Sequence, residues 1–207
     1  MVVLHDDTLE RTTDGSGPVR ALPFAAYRFR APGGTHPFRD RGLRIPALAA
    51  LLDAFPDVPL NIEVKQAEPP IIDAVLAVLD HGGARGRTLL AAEDGAIMAG
   101  IRAAAPDVVT SFSAPEVADF VGRLRTGQLA GYVAPGIALQ VPPTFHDIPI
   151  VTAESVAAAH ALGLEVHVWT INDEPEMERL LDLGVDALMT DFPARATAVV
   201  RRRAQRT

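Results

Sequence analysis

The chain has 207 residues, 48% of them hydrophobic and 22% charged, with a formal net charge of −7. That is enough apolar material for a sizeable core and too much for intrinsic disorder, while the acidic balance argues against a general nucleic-acid binder. No run approaches the roughly 18 consecutive apolar residues of a membrane span, and the absence of Cys excludes a disulfide framework, a thiolate zinc site and a cysteine nucleophile.

The first predicted strand is Val2–His5. No charged segment followed by an apolar one precedes it, so no signal peptide is read and a cytoplasmic location is expected. Residues 14–47 follow, rich in Gly and Pro and without a sustained period, which predicts a loop insertion. Thereafter short β-rich runs alternate with Ala- and Leu-rich helical patterns. The predicted strands are Leu60–Lys65, Thr88–Ala92, Val108–Ser113, Ile137–Val141, Glu165–Thr170 and Ala187–Asp191. The predicted helices are Pro70–His81, Gly95–Ala105, Pro115–Arg125, Ala153–Leu162, Pro175–Leu183 and Ala194–Arg203. Pro at helix starts and Gly82, Gly163 and Gly184 just past helix ends punctuate them. The basic tail Arg201–Arg203 reads as a solvated, fraying helix end.

Alternating strands and helices imply a parallel sheet, either open and doubly wound or closed as a (β/α)8 barrel. Polar residues stand at the C-terminal end of nearly every strand: His5, Lys65, Glu93, Ser113, Gln140, Trp169 and Asp191. A barrel gathers all such ends at one mouth, an open sheet only those at its switch point. A barrel is therefore expected. A complete one takes about 250 residues, and seven strand segments can be found, so 1–207 is read as a single, incomplete barrel domain lacking the first one or two βα units.

The strand Leu60-Asn61-Ile62-Glu63-Val64-Lys65 carries the most chemistry. Alternation places Ile62 and Val64 on one face and Asn61, Glu63 and Lys65 on the other. Both faces of a helix-covered parallel sheet should be apolar, and burying a carboxylate and an ammonium costs several kcal/mol unless they are paired or ligated. Two readings stay open: a Glu63–Lys65 ion pair at the rim, or Glu63 on a divalent cation with Lys65 on an anion. Along Glu165–Thr170, Trp169 reaches the strand's C-terminal end as an aromatic wall or as core, and His167 reads as a satisfied interior histidine. His5, at a strand end before Asp6 and Asp7, suits general acid–base work. His36, His81, His146 and His160 read as structural or surface. The chain has no P-loop, H-E-x-x-H, G-x-S-x-G or G-x-G-x-x-G motif.

The stretch His5-Asp6-Asp7-Thr8-Leu9-Glu10-Arg11-Thr12-Thr13-Asp14-Gly15-Ser16-Gly17 resembles the H-D-x-x-L-x-R-T-T-x-G-x-G signature of the glycerophosphodiester phosphodiesterase family. Ile45-Pro46-Ala47-Leu48, Asn61–Lys65 (N-I-E-x-K), Val168–Asn172 (V-W-T-x-N), Gly184–Ala187 and Thr190–Pro193 agree in order, so the resemblance spans essentially the whole chain. It implies a (β/α)8 barrel of the phospholipase C-like phosphodiesterase type. It also implies hydrolysis of small-molecule glycerophosphodiesters to glycerol 3-phosphate and an alcohol, with Ca2+ or Mg2+. On matching positions His5 is one of two acid–base histidines, Glu63 a metal ligand, Lys65 the group that neutralises the phosphate and Trp169 part of the glycerol pocket.

The family's H-R-G strand and its E-x-D strand, which supply a second histidine and two metal carboxylates, have no counterpart here. The chain is therefore expected to be a fragment of a phosphodiesterase with little hydrolase activity alone, or to need a partner chain that closes the barrel. The alternatives are an inactive binding or scaffold module, a related phospholipase-type phosphodiesterase, and a non-enzymatic phosphate-binding domain. The last would show a Gly-rich turn into a helix N-terminus, and none is present.

Overall fold

The computed structural model describes residues 1–13, 15–21 and 44–205; most of the loop insertion expected at 14–47 lies outside them. Two compact units emerge, Met1–Pro59 with Asp73–Arg87, and Leu60–Ile72 with Thr88–Thr207.

In the first unit the expected strand Val2–His5 is reduced to an antiparallel bridge between Val2 and Ala47, with Val3 N–H donating to Pro46 C=O at 2.9 Å. A second bridge, Thr8 to Pro18, closes the loop that follows His5. The motif residues of this loop have mechanical roles. Leu9 is buried with Ile45, and Val2, Leu4 and Val19 pack on the pair. Thr13 donates its hydroxyl back to Leu9 C=O at 2.7 Å and accepts the Gly15 N–H at 3.0 Å. A Cβ on Gly15 would meet Leu9 Cδ1 at 2.8 Å, and Gly17 sits at φ +92°, so both positions favour glycine. Two helices complete the unit, α1 (Leu48–Ala54) and α2 (Ile72–His81); α1 was not expected from the sequence.

The second unit contains β1 (Leu60–Glu63), β2 (Thr88–Ala91), α3 (Gly95–Ala104), α4 (Ala114–Arg125) and β3 (Ala138–Val141). It continues with β4 (Thr144–Phe145), β5 (Ile148–Pro149), α5 (Ala153–Ala161), β6 (Glu165–Val168), α6 (Glu174–Asp182), β7 (Ala187–Leu188) and α7 (Pro193–Ala204). Helix starts are capped as their residues dictate. Asp94 accepts from Ala96 and Ile97 N–H, Ser113 with Glu116 and Thr152 with Ser155 form capping boxes, and Asp173 accepts from Glu176 N–H. The β4–β5 hairpin was not expected. Its two-residue turn, His146-Asp147, has φ of 45° and 62°. A type I′ turn needs positive φ at both central residues, but it is signalled in sequence by Asn-Gly rather than His-Asp.

Apart from the antiparallel β4–β5 hairpin, pairing in this unit is parallel and runs in chain order. β1 pairs with β2 and β3 pairs with β6, which pairs in turn with β7. The expected strand Val108–Ser113 appears as single bridges, Thr110 to Leu90 and Ser111 to Ala138, which join β2 to β3. An order without reversal has no switch point, so the doubly wound alternative is excluded. The array also curls. At ~4.8 Å between neighbours, flat strands three places apart stand about 14 Å from each other and those five places apart about 24 Å. Yet Gln140 on β3 donates Nε2–H to Asn61 Oδ1 on β1 at 3.2 Å, and Asn61 Nδ2 reaches the sulfur of Met189, just past β7, at 3.8 Å. Only a sheet rolled toward this face brings those side chains together, as a barrel requires.

Helices cover the other face. The core includes Phe120, Leu139, Val156, Val168, Met177, Leu180 and Val199. Phe120 meets Phe112 edge-on at 6.4 Å and Tyr132 at 6.0 Å. The basic tail is less free than expected. Arg202 pairs with Glu174 at 2.8 Å and Arg203 with Glu178 at 2.8 Å and Asp182 at 2.7 Å, which ties α7 to α6. Among the described residues no helix is long and apolar enough to cross a membrane.

Candidate active site

The expected site residues fall in both units: His5 in the first, and Glu63, Lys65 and Trp169 in the second. His5 is 74% exposed at its side chain, and its Nδ1 bonds Asp6 Oδ1 at 2.8 Å. Asp6 also receives Arg11 Nε at 2.5 Å and Nη2 at 2.9 Å. The Arg11 guanidinium, with the His5 ring, holds the Asp6 carboxyl well below the usual carboxylate range. A carboxylate on Nδ1 favours the tautomer with the hydrogen on that atom.

On β1 the pleat divides the side chains as the sequence requires. Val64 is buried on one face, and Glu63 and Lys65 emerge on the other, about one-third exposed. The ladder continues past the strand end through Val64 N–H to Ala91 C=O at 2.8 Å, which holds both charged residues in extended backbone. Lys65 Nζ lies 3.2 Å from Glu63 Oε2. The rim ion pair that the alternation allowed is formed. At this exposure it is worth ~1 kcal/mol or less, so either partner can exchange the other for a ligand at small cost.

Trp169 stands at the C-terminal end of β6, its N–H on Val141 C=O at 3.2 Å and the residue 40% exposed. It belongs to the rim rather than the core. Beyond it, Asn172 organises the ends of β6 and β7. Its Oδ1 accepts from Thr190 Oγ1 and Asp191 N–H, both at 3.0 Å, and its Nδ2 donates to Asp191 Oδ2 at 2.8 Å. The Asp191 carboxylate is thereby fixed at the end of β7. Below the rim, His167 is satisfied as expected, with Nε2 on Glu165 Oε2 at 2.8 Å and Nδ1 on Gln140 Nε2 at 3.3 Å.

A model of the glycerophosphoryl diester phosphodiesterase family matches residues 1–195. The chain belongs to that family. A glycerophosphodiester phosphodiesterase of Caldanaerobacter subterraneus is 26% identical over 98% of this chain and 81% of its own length. A lysophospholipase D of Mus musculus is 26% identical over 94% of this chain and 71% of its own. An Oleispira antarctica phosphodiesterase, solved with its product sn-glycerol 3-phosphate, superposes with a TM-score of 0.74 at 22% identity over 97% of this chain and 79% of that one. The fold is therefore that of the family's α/β phosphodiesterase barrels.

Phosphodiesterases of this family are generally dependent on a divalent metal. A hard cation takes six or more oxygen ligands, drawn from carboxylates, carbonyls and water. Among the described residues no three His, Asp or Glu side chains converge as such a group. Glu63 faces Lys65, and the nearby Asn61 oxygen is occupied by Gln140. These donors do not by themselves make up a cation site.

The sequence marks Gln140 and Asp191 only as polar strand ends and does not single out Asn172. Alternation gives each a face, but the partners that reveal their roles lie 19 to 79 residues away in sequence.

Proposed function

We propose that this phosphodiesterase-family chain hydrolyses glycerophosphodiesters to glycerol 3-phosphate and an alcohol. The observation that carries the reading is the exchangeable Glu63–Lys65 pair on the inner face of a rolled parallel array, at the same strand ends that bear Trp169 and Asp191. A phosphodiester is anionic and gains charge as water adds at phosphorus. An ammonium aimed at its oxygens stabilises that charge more than the ground state. Lys65 is the group for this role, released from Glu63 as the phosphate arrives. The attacking water forms a bond to phosphorus and gives up one proton to solvent; the bond that breaks joins phosphorus to the alcohol oxygen, and the departing alkoxide needs a proton. For His5 we propose that proton transfer through Nε2, with Asp6 holding the ring. Trp169 offers its face to the glycerol carbons.

Glu63 is the carboxylate best suited to contribute one oxygen to a divalent cation, and Ca2+ and Mg2+ are the candidates. When bound, such an ion would add Lewis-acid stabilisation of the phosphoryl oxygens.

The test is release of glycerol 3-phosphate from glycerophosphocholine, with Mg2+ or Ca2+ present, by the chain and by Lys65→Met. Loss of the ammonium should lower kcat/KM by about 100-fold or more. Equal turnover by both proteins would overturn the reading. Lysophosphatidylcholine as a second substrate distinguishes the lysophospholipase type, which the Mus musculus relative exemplifies.

A further inference from the structure

Across the inner face of the second unit runs a chain of side-chain hydrogen bonds that joins three strands. Asn61 of β1 accepts from Gln140 of β3 at 3.2 Å, and Gln140 meets His167 Nδ1 of β6 at 3.3 Å. His167 Nε2 meets Glu165 Oε2 at 2.8 Å. The donors and acceptors close in only one sense. Gln140 Nε2 carries two hydrogens and serves two acceptors, Asn61 Oδ1 and a bare His167 Nδ1. The His167 hydrogen is then on Nε2, where Glu165 accepts it. Each partner sits two residues before a rim residue on its own strand: Asn61 before Glu63 and four before Lys65, His167 before Trp169. Side chains two apart share a face, so fixing Asn61 and His167 fixes where their strand ends aim. β3 and β6 are also joined by their backbone ladder. The side chain of Gln140 bridges that pair directly to β1, three places away in the array.

We infer that Gln140 is a positioning residue: its carboxamide holds the strand carrying Glu63 and Lys65 at a set distance from the strand carrying Trp169. The spacing so fixed is the one that a glycerol phosphate moiety must span, from ammonium to indole. This rests on the roles proposed above for Lys65 and Trp169.

Trp169 is the sole tryptophan of the chain, so its emission reports binding without turnover. Glycerol 3-phosphate is titrated into the chain, Gln140→Met, Asn61→Leu and the double variant while that emission is followed, and glycerophosphocholine kinetics are measured alongside. Methionine keeps the length of Gln140 and removes both hydrogen bonds. It should raise the half-saturating concentration about tenfold, as expected for two ordinary hydrogen bonds, and raise KM similarly, with kcat changed less than threefold. Asn61→Leu removes the bridge from its other end and should reproduce the weakening. The double variant should be no worse than the worse single one, because both substitutions remove one link. If Gln140→Met does not fold, Asn61→Leu alone decides the matter. Half-saturation equal to that of the unaltered chain in Gln140→Met and Asn61→Leu, whatever their melting temperatures, would overturn the inference and leave the proposed function standing. An unaltered chain that neither responds to glycerol 3-phosphate nor turns over substrate would overturn both.

Discussion

Asp186, the residue before β7, gives the sharpest test of how the array is held. Its Oδ2 accepts the Val166 N–H at 2.7 Å and meets His160 Nε2 at 3.0 Å. Burial pushes its carboxyl upward in pKa, but the Val166 N–H and the His160 ring outweigh this, and the net shift is downward. Asp186→Ala removes both bonds and leaves the Val166 donor of β6 without its acceptor. A hydrogen bond to a charged group contributes roughly 1.5–3 kcal/mol. The side chain is 35% exposed and its His160 partner 41%, so the ionic part is screened to 1 kcal/mol or less. A loss of about 2 kcal/mol is expected, or roughly 4–8 °C in melting temperature for a chain of this size. The pH dependence has a definite sign. A carboxyl whose folded-state pKa is depressed stabilises the fold above its unfolded value, near 3.9, and that contribution is lost as pH falls through the folded value. Thermal melts followed by circular dichroism should therefore show the full gap between the two proteins at pH 7.5 and a narrowing gap below about pH 4. A gap absent at pH 7.5, or one that persists unchanged into acid, would refute the reasoning.

Two packing predictions follow from the same unit. Phe120 is 1% exposed and flanked by two aromatic rings, so Phe120→Ala should cost about 3–5 kcal/mol in urea unfolding; a loss under 1 kcal/mol would mean that the site collapses around the deletion. A Cβ on Gly136 would meet Thr110 O at 2.6 Å and Ser111 O at 2.8 Å, both of them backbone atoms. Gly136→Ala should cost about 1–3 kcal/mol and speed hydrogen exchange at the Phe112 and Ile137 amides, which bond across that joint; unchanged exchange would count against it.

The six helices expected from the sequence begin and end within two residues of their predicted limits, because apolar spacing, caps and punctuation act locally. The strand Leu60–Lys65 was legible to the level of which side chain faces which way. The first expected strand was not borne out: Val2–His5 keeps one bridge, since an alternating run forms a strand only when a partner lies alongside it. Helix α1 followed Ile45-Pro46-Ala47 without a capping side chain to mark it, and the β4–β5 turn lacked glycine. In the site, residue type and face were readable for Glu63, Lys65 and Trp169. The ties made by Gln140 and Asn172 were not, because they depend on register and curl, properties of the assembled sheet rather than of any one segment.

The order of pairing has a consequence for assembly. Each parallel backbone pairing in the second unit joins residues only about 20 to 28 positions apart. Closing a loop costs about (3/2)RT ln n. Each addition therefore costs about 1.4 kcal/mol less than a first contact between ends some 125 residues apart. Such a chain can acquire its structure one strand and helix at a time, in the direction in which the ribosome delivers it.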